Sequence, residues 1–282
     1  TAERKYLMGT LYIVGTPIGN LEDISFRVIR ILSEVDLIAA EDTRVTGKLL
    51  SRYDIKTKKT SFNKDNSFRK IPEILNTLIN HDVALTTDAG TPGISDPGYD
   101  LVKEVGSAGF SVVGIPGPSA VTTVLSMCPF PLEGFIFTGF PPRKEGDLSK
   151  FLKHYGELNL PVVLFESPRR LRNLLEKVAL LYPDRSVFIA REMTKVHEET
   201  FHGTSSEALV HFIAPKGEFT IVLSKTKIET NLLDQTDILK LIRKLSSDGL
   251  GIKQISREIA IVAKLGNSGA YKLVLDTLTD DE

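Results

Sequence analysis

Short apolar runs alternate with amphipathic segments over the first 125 or so residues, and this alternation most constrains how the chain can fold. The apolar runs lie at residues 11–14, 37–40, 83–87 and 111–115. Helical patterns occupy residues 24–35, 43–53, 69–80 and 99–108, and another helix is expected after Pro118. Strands that alternate with helices of this length predict βαβ units around a parallel sheet.

The pattern changes at residues 128–131, where Pro129 and Pro131 interrupt it. Strands are predicted at 135–137, 162–165, 187–190 and 219–223, and another at 200–202, close to Gly203, predicts some antiparallel pairing. Only helical patterns remain from 232 to 278, at 238–245, 252–264 and 268–278. We therefore predict an α/β protein with three parts: an N-terminal α/β domain with a parallel sheet (9–130), a second α/β domain with a mixed sheet (131–228) and a helical tail (229–282).

Composition narrows the class of protein. The 282 residues are enough for about two domains, and 41% apolar with 25% charged residues is typical of a soluble globular protein. Cys128 is the only cysteine, which excludes an intrachain disulfide and a multi-cysteine metal site. The sequence has no apolar run of membrane-spanning length and no signal-peptide core at its start, so we expect a cytoplasmic protein. A net charge of −1 means that a nucleic-acid partner would need a local basic patch.

A rigid polar loop follows the third strand pattern, with the sequence DAGTPGISDPG at residues 88–98. Its glycines allow a backbone to approach a ligand closely and to adopt positive φ, whereas its prolines fix the remaining angles. Open α/β sheets bind ligands at the carboxyl ends of their strands. A long ordered turn is the alternative, but the composition favours a binding site.

Two further loops end strands of the predicted sheet, GTPIGN at residues 15–20 and EDTR at 41–44. They do not form a dinucleotide-binding turn, because the Gly-x-Gly-x-x-Gly pattern is missing and Pro17 occupies the turn. The sequence also has no Gly-x-x-x-x-Gly-Lys-Ser/Thr phosphate loop. These observations favour an adenosine-like ligand without a phosphate chain.

Seven sequence blocks resemble the tetrapyrrole methylase superfamily. In the N-terminal half they are LYIVGTPIGNL (11–21), AEDTR (40–44), the 88–98 loop and PGPSA (116–120). In the second half they are FESPRR (165–170), AREMTK (190–195) and KGEFT (216–220). Within the superfamily the blocks are most similar to the small-subunit ribosomal RNA (cytidine-2′-O)-methyltransferases, and they occur in the expected order over residues 10–225.

The resemblance implies two α/β domains of tetrapyrrole-methylase type with S-adenosylmethionine in the cleft between them, and a homodimer. It implies methylation of a cytidine ribose 2′-hydroxyl in 16S ribosomal RNA within the small ribosomal subunit. One alternative is a methyltransferase acting on a small tetrapyrrole, such as a cobalamin or sirohaem precursor. Another is a non-catalytic RNA-binding assembly factor. The EDTR block and the helical tail favour RNA.

The resemblance also implies which residues contact the methyl donor. They lie on strand-end loops of both domains: Pro17, Asp88, Gly90, Thr91, Pro92, Ile94, Ser95, Ser119, Ala120, Phe165, Glu166 and Thr220. A cationic sulfonium with a carboxylate tail needs backbone donors and acceptors, which glycine-rich turns supply.

Methyl transfer to a hydroxyl requires oxygen, methyl carbon and sulfur in line, and positioning supplies much of the acceleration. A nearby base, or a cation that stabilises the alkoxide, would help. Glu41 and Asp42 are the candidate bases, and Arg44 and Lys195 are the candidate cations. Inter-strand or interdomain salt bridges are the alternative role for all four. We expect no metal and no covalent intermediate.

Ser167 and Pro168 form a good helix start, with a capping hydroxyl and a proline at the first position. Arg169, Arg170 and Arg172 follow, and we interpret them as a solvated helix face, although an RNA backbone could use them.

The tail pattern resembles a helix-turn-helix unit, in which Gly266 and Asn267 end one helix and Ser268 caps the next. From Leu239 to Lys272 it carries seven basic residues against Asp248 and Glu258: Lys240, Arg243, Lys244, Lys253, Arg257, Lys264 and Lys272. The tail could dock on RNA or could be a solvated helical cap, and the basic surplus favours RNA.

Overall fold

The structure is a computed structural model that describes residues 8–226, 235–263 and 265–279. Its first sheet has the order β3-β2-β4-β1-β5, and all neighbouring strands are parallel, as predicted. The strands are β1 (Thr10–Val14), β2 (Leu37–Ala40), β3 (Lys58–Ser61), β4 (Val83–Thr86) and β5 (Ser111–Ile115). Because the strands are parallel, their carboxyl ends and the loops that follow lie along one edge of the sheet.

Helices cover both faces of this sheet, each with its own apolar cluster. They are α1 (Phe26–Glu34), α2 (Thr43–Arg52), α3 (Ser67–Leu78), α4 (Tyr99–Ser107) and α5 (Ala120–Met127). In α1 the Ser25 hydroxyl accepts a hydrogen bond from the Val28 backbone nitrogen at 3.1 Å, which caps the helix. Val28, Ile31 and Leu32 form its buried face. Burial of each such side chain stabilises the fold by roughly 1.5–3 kcal/mol.

The strand β3 was not predicted, because its sequence KKTS shows no apolar alternation. It lies at the edge of the sheet and pairs with β2. Lys58 and Lys59 are exposed there, and lysines on an edge strand discourage pairing with other chains.

The second sheet is mixed, as predicted, with the order β6-β7-β10-β8-β9. The β6–β7 pair is parallel and the other pairs are antiparallel, including β8 with the strand predicted at 200–202. The strands are β6 (Ile136–Phe137), β7 (Val162–Glu166), β8 (Ser186–Arg191), β9 (Glu199–Thr204) and β10 (Phe219–Leu223). The helices here are α6 (Glu145–Glu157), α7 (Pro168–Leu181) and α8 (Ser205–His211).

The two sheets are joined through α5, which belongs to the N-terminal half. Its Val124 and Leu125 pack in one apolar cluster with Val163, Phe188 and Val222 of the second sheet. The chain up to Thr226 accordingly forms one compact unit. The predicted division of this unit near residue 130 stays a prediction.

The helical tail is a second compact unit with its own apolar core. It contains α9 (Gln235–Ser247), α10 (Ile252–Val262) and α11 (Asn267–Thr279). The predicted capping role of Ser268 is wrong, because α11 begins one residue earlier. Lys264 and most of the segment before α9 lie outside the described residues. None of the helices in the described ranges is long and apolar enough to cross a membrane.

Candidate functional site

A cavity of about 450 Å³ opens between the loops at the carboxyl edge of the first sheet and the second sheet. The first half of the chain contributes Ile18, six residues of the β4–α4 loop between Ala89 and Asp96, and the start of α5. The second half contributes Phe140, the end of β7, Met193 and the segment from Gly217 to Thr220. This volume lies within the range of small-molecule sites, about 300–1,000 Å³.

The first wall of the cavity is shaped by backbone conformation. Gly90 exchanges two backbone hydrogen bonds with Thr16, Thr16 N to Gly90 O at 2.9 Å and Gly90 N to Thr16 O at 3.1 Å. This pairing holds Gly90 at a φ of 77°, in a region that other residues rarely adopt. Ser95, further along the loop, also has a positive φ of 65°. A non-glycine residue in this region marks a conformation that the surroundings impose.

A close approach of two turns places the start of α5 at the cavity. A Cβ atom at Gly117 would lie 2.3 Å from the backbone oxygen of Gly15. No other residue fits at that position without moving a backbone, so the glycine allows the β1 and β5 loops to touch. Ser119 and Ala120, two and three residues later, line the cavity.

The second wall depends on paired side chains. Glu166 ends β7 and is almost fully buried, with 3% of its surface exposed. Its carboxylate accepts hydrogen bonds from the Ser167 backbone nitrogen at 2.7 Å and from Arg170 Nη2 at 2.8 Å. Burial raises the pKa of Glu166, and the contacts with Ser167 and Arg170 oppose that rise. The arginine therefore compensates a carboxylate that the cavity wall would otherwise leave buried alone.

Lys195 forms a second ion-pair cluster at this wall. Its Nζ lies 2.7 Å from Glu218 Oε2 and 3.1 Å from Glu192 Oε1. Although burial opposes it, contact with the two glutamates raises the pKa of Lys195. Glu218 lines the cavity, whereas Lys195 does not. The lysine thus acts on the cavity through its partner.

Asp96 differs from the other carboxylates of the cavity. Asp96, Glu166 and Glu218 all line it, and the two glutamates are ion-paired. Within the described residues Asp96 has no ion pair within 4 Å. Burial, with a smaller effect of the neighbouring Glu41, raises the pKa of Asp96 to about 6. Asp96 therefore changes protonation state just below neutral pH.

The predicted catalytic acids of the β2–α2 turn lie outside the cavity lining. Asp42 caps α2 by accepting from the Arg44 backbone nitrogen at 2.8 Å, and it pairs with the exposed Arg44 guanidinium at 2.6 Å. The side-chain hydrogen bond with Arg44 lowers the pKa of Asp42 to about 2. Glu41 accepts from the Asp88 backbone nitrogen at 3.3 Å, and the Asp42 nitrogen donates to Asp88 at 3.1 Å. These contacts tie the β2 and β4 loops together.

The structure therefore brings together most, but not all, of the predicted residues. Nine of the twelve expected donor contacts line the cavity: Gly90, Thr91, Ile94, Ser95, Ser119, Ala120, Phe165, Glu166 and Thr220. Pro17, Asp88 and Pro92 are not in the lining, and neither are the four catalytic candidates, Glu41, Asp42, Arg44 and Lys195. Pro17, Asp88 and Pro92 each adjoin a lining residue in the sequence. Glu41 and Asp42 are hydrogen-bonded to Asp88, and Lys195 pairs with the lining residue Glu218, whereas Arg44 pairs with Asp42.

Sequence reasoning missed several lining residues, notably Asp96, Phe140 and Glu218. Asp96 lies in the 88–98 loop and Glu218 in the KGEFT block, so the sequence predicted these segments as part of the site but did not predict that these two side chains line it. Phe140 follows a short strand in the segment GFPP, the same strand-end position that marks the other loops. In the described ranges no group of three or more His, Cys, Asp or Glu residues is placed to hold a metal ion.

Comparison with known families gives a match over most of the chain. Residues 10–209 match the family described as Tetrapyrrole (Corrin/Porphyrin) Methylases. This range includes both sheets except β10, and most of the cavity-lining segments.

Two relatives are similar to this chain over nearly their whole length. A Thermotoga maritima protein named Ribosomal RNA small subunit methyltransferase I is 51% identical over 220 residues, covering 77% of this chain and 99% of that protein. A Synechocystis protein of the same name is 38% identical over 278 residues, covering 97% of this chain and all of that protein. The second alignment includes the helical tail, and the first covers a protein of about the length of the α/β unit.

Solved structures share the fold at low sequence identity. A cobalt precorrin-4 methyltransferase, a cobalamin biosynthetic enzyme, superposes with a TM-score of 0.58 at 16% identity, over 76% of this chain and 94% of that one. A uroporphyrin-III-C-methyltransferase from Thermus thermophilus gives 0.54 at 18% identity, over 77% and 94%. At this identity the likeness concerns the fold alone.

Proposed function

The chain belongs to the tetrapyrrole methylase family, and we propose that it methylates a cytidine ribose 2′-hydroxyl in small-subunit (16S) ribosomal RNA. S-adenosylmethionine is the methyl donor of this family. The names of the relatives support a ribosomal RNA acceptor. The main support for the proposal is the cavity between the two sheets, which has the size of a small-molecule site and whose glycine-built wall lets a ligand approach the backbone closely. We further propose a cytoplasmic homodimer, on the family resemblance alone.

The cavity residues fit the chemistry of the donor. Phe165 offers aromatic surface for the adenine, and the ring of Phe140 packs against it edge to face, 5.7 Å away between centroids. The N–H and C=O of Gly90 are bonded to Thr16, but backbone groups next to Gly90 can bind the polar edges of the nucleoside and the carboxylate, since Gly90 has no side chain to cover them. The carboxylate of Glu218 favours the positively charged ammonium and sulfonium groups. These residues would hold the donor.

When bound, the donor supplies an electrophilic methyl carbon on a positively charged sulfur. The residues of the chain exclude water from that carbon, orient the incoming ribose and remove a proton from its hydroxyl. Fixing the reacting groups in this way saves much of the entropy that an encounter in solution would cost.

Asp96 is the carboxylate that we propose as the proton acceptor. It lines the cavity, and with a pKa of about 6 it is mostly ionised at neutral pH. It is not committed to an ion pair, in contrast to the two cavity glutamates. Glu41, Asp42, Arg44 and Lys195 then position loops and acceptor from outside the cavity. With this assignment the base lines the cavity proposed for the donor, whereas Glu41 and Asp42 of the β2–α2 turn lie outside its lining.

Two acceptors and a reaction without acceptor separate the proposal from its alternatives. The protein is incubated with S-adenosylmethionine carrying a labelled methyl group and with purified small ribosomal subunits, a tetrapyrrole precursor or no acceptor. We expect label in the RNA of the subunits. Label in the tetrapyrrole alone would favour a small-molecule methyltransferase, and label in neither acceptor would favour an assembly factor.

The helical tail is a further RNA contact in this proposal. A cleft of about 210 Å³ between α10 and α11 is lined by Lys253, Arg257 and Tyr271, among others, so two cations and an aromatic ring face one depression. Phosphates and a base are suitable partners for such a group.

Truncation tests this contact. The cut belongs after Thr226, because the Thr226 hydroxyl donates to the Gly156 backbone oxygen at 2.7 Å and so helps to close the α/β unit. We expect the shortened protein to fold and to bind the donor normally, but to bind small subunits more weakly and with a smaller salt dependence. Equal affinity and equal slope would leave the tail as a structural cap.

A further inference from the structure

A second depression, of about 730 Å³, adjoins the cavity on the side of the second sheet. The two share Phe140, Glu166 and Ser167 in their linings. Beyond this shared wall the depression runs over the loop between β6 and α6 and over the start of α7. We call it the arginine groove, after Arg143, Arg169 and Arg170 in its lining.

The arginine groove carries uncompensated positive charge. Arg170 is neutralised by Glu166 at 2.8 Å. Arg143 and Arg169 are exposed, and neither has a carboxylate within ion-pair distance among the residues that the structure describes. Glu145, the acidic residue two positions after Arg143, pairs with Lys177 instead. A ligand in the groove therefore meets two free guanidinium groups.

The groove is also held in shape. Arg170 Nη2 donates to the backbone oxygen of Pro141 at 2.5 Å as well as to Glu166, so one guanidinium fastens the β6–α6 loop to α7. Pro141 and Pro142 restrict the backbone of this loop, since the proline ring fixes φ. Arg143 thus projects from a restrained segment, which reduces the entropy lost when it binds a ligand.

An aromatic ring stands where the groove meets the cavity. Phe140 is 56% exposed, and its ring contacts Phe165 edge to face. An exposed ring beside free arginines is the combination that single-stranded RNA uses, with bases stacked on the ring and phosphates on the cations. An acidic peptide would use the cations but would gain nothing specific from the ring.

We propose that the arginine groove binds the ribose–phosphate backbone of the RNA nucleotides next to the methylated one. The inference rests on the proposed function, because an RNA strand is expected in the groove only if one of its nucleotides is methylated in the adjoining cavity. Phosphate contacts fix the register of a strand without reading its sequence. Arg143 and Arg169 would hold the strand so that one nucleotide reaches over Phe140 into the cavity.

The test removes the two free charges in the variant R143Q/R169Q. The matched control is R52Q/K58Q, which removes two exposed charges that have no described ion pair, at the end of α2 and the start of β3. Binding of each protein to protein-free RNA from small subunits, and to intact subunits, is measured against salt concentration. Donor affinity is measured on the same samples.

We expect R143Q/R169Q to bind RNA about 25-fold more weakly at 0.1 M salt, and its log–log salt slope to be smaller by about 1.4. The control should match the parent, and all three proteins should bind the donor equally. RNA affinity and slope equal to those of the parent would overturn the groove assignment. A loss with intact subunits but not with protein-free RNA would also overturn it, in favour of an acidic protein partner. Failure of the parent to bind or methylate small subunits would instead count against the proposed function itself.

Discussion

The two walls of the cavity are built by different means. The wall from the parallel sheet is a backbone structure: Gly90 and Ser95 hold positive φ angles, and Thr16 pairs with Gly90 through main-chain hydrogen bonds. The wall from the mixed sheet contains one glycine with a positive φ, Gly217, but depends mainly on side chains, because Glu166 pairs with Arg170 and Glu218 pairs with Lys195. The first wall leaves a carboxylate, Asp96, without an ion-pair partner in the described chain, whereas the second compensates both of its carboxylates.

This difference indicates what each wall tolerates. A backbone-built wall fails when a side chain is added, because the loop conformation and the space for the ligand are lost together. A side-chain-built wall fails when a charge is removed, because the remaining partner is left partly buried and unpaired. The unpaired carboxylate of the first wall, Asp96, can take part in proton transfer. The paired carboxylates of the second wall, Glu166 and Glu218, stabilise the shape of the cavity.

The largest expected effect comes from adding a side chain to the first wall. In G90V the β-branched residue must adopt a φ near 77° and projects into the donor space, so we expect donor binding to fall below detection. Calorimetric titration measures the affinity, and thermal unfolding checks that the variant still unfolds cooperatively.

The control for G90V is G109V, which imposes a similar strain, with φ 84°, after α4 and outside the cavity. Both variants should lose about 1–3 kcal/mol of stability, but only G90V should lose the donor. A folded G90V protein with undiminished donor affinity would remove this loop from the site.

The next effect tests the free carboxylate. D96N should reduce methyl transfer by about 100-fold or more, the usual contribution of a general base, and should keep donor affinity within a few fold. The rate of the parent should rise with pH through about 6 as Asp96 loses its proton, and this step should be missing in D96N. Single-turnover rates between pH 5 and 8 measure this pH dependence.

The control is D100N, which changes an exposed aspartate four residues further along the chain. A pH–rate profile of D96N like that of D100N would exclude Asp96 as the base.

Smaller effects are expected from the ion pairs that flank the walls. K195M and D42N should each lower methyl transfer by about tenfold or less and keep donor affinity within a few fold, because both residues support segments that face the acceptor. K195M should also cost about 1 kcal/mol of stability, since it leaves Glu192 and the cavity-lining Glu218 without their cation. D42N should be close to neutral for stability, because Arg44 is exposed. Transfer at the parental rate in both variants would make their roles structural.

The smallest effect is on stability as a function of pH. The pKa of Asp96 is raised in the folded state to about 6, so its favourable contribution is fully present below its unfolded pKa and is lost as pH rises through 6. The shift corresponds to at most about 3 kcal/mol, and partial exposure reduces the expected loss to about 1 kcal/mol. Urea unfolding at pH 4 and pH 7 should show that D96N lacks this loss. If the free energy of unfolding changes equally with pH in the parent and in D96N, the pKa of Asp96 is not raised by burial and the residue is exposed to solvent.

Much of this arrangement could be predicted from the sequence, because the elements that carry it are strongly patterned. Four of the five parallel strands are continuous apolar runs, as buried strands must be. The edge strand β3 could not be found, since an edge strand needs no apolar face and its lysines face solvent. The helix α6 could have been predicted, because Leu148, Phe151, Leu152 and Tyr155 stand at the helical spacing i, i+3, i+4 and i+7 and pack in one apolar cluster.

The site was predictable at the level of loops and not of side chains. Strand ends of a parallel sheet meet at one edge, so GTPIG, DAGTPGISDPG and PGPSA could be grouped before any coordinates. Which member of a loop faces the cavity depends on φ angles and on distant partners. Lys195 illustrates the limit, because its ion pair with Glu218, 23 residues away, is a contact that no spacing in the sequence reports.

The most direct test of the account is to locate the transferred methyl group on the RNA. Small subunits are treated with the protein and labelled donor, and the purified RNA is digested with alkali, which requires a free 2′-hydroxyl to cleave each linkage. Our account predicts label in an alkali-resistant dinucleotide that yields 2′-O-methylcytidine on further digestion. Label released as an ordinary mononucleotide would place the methyl group on a base and would contradict ribose methylation.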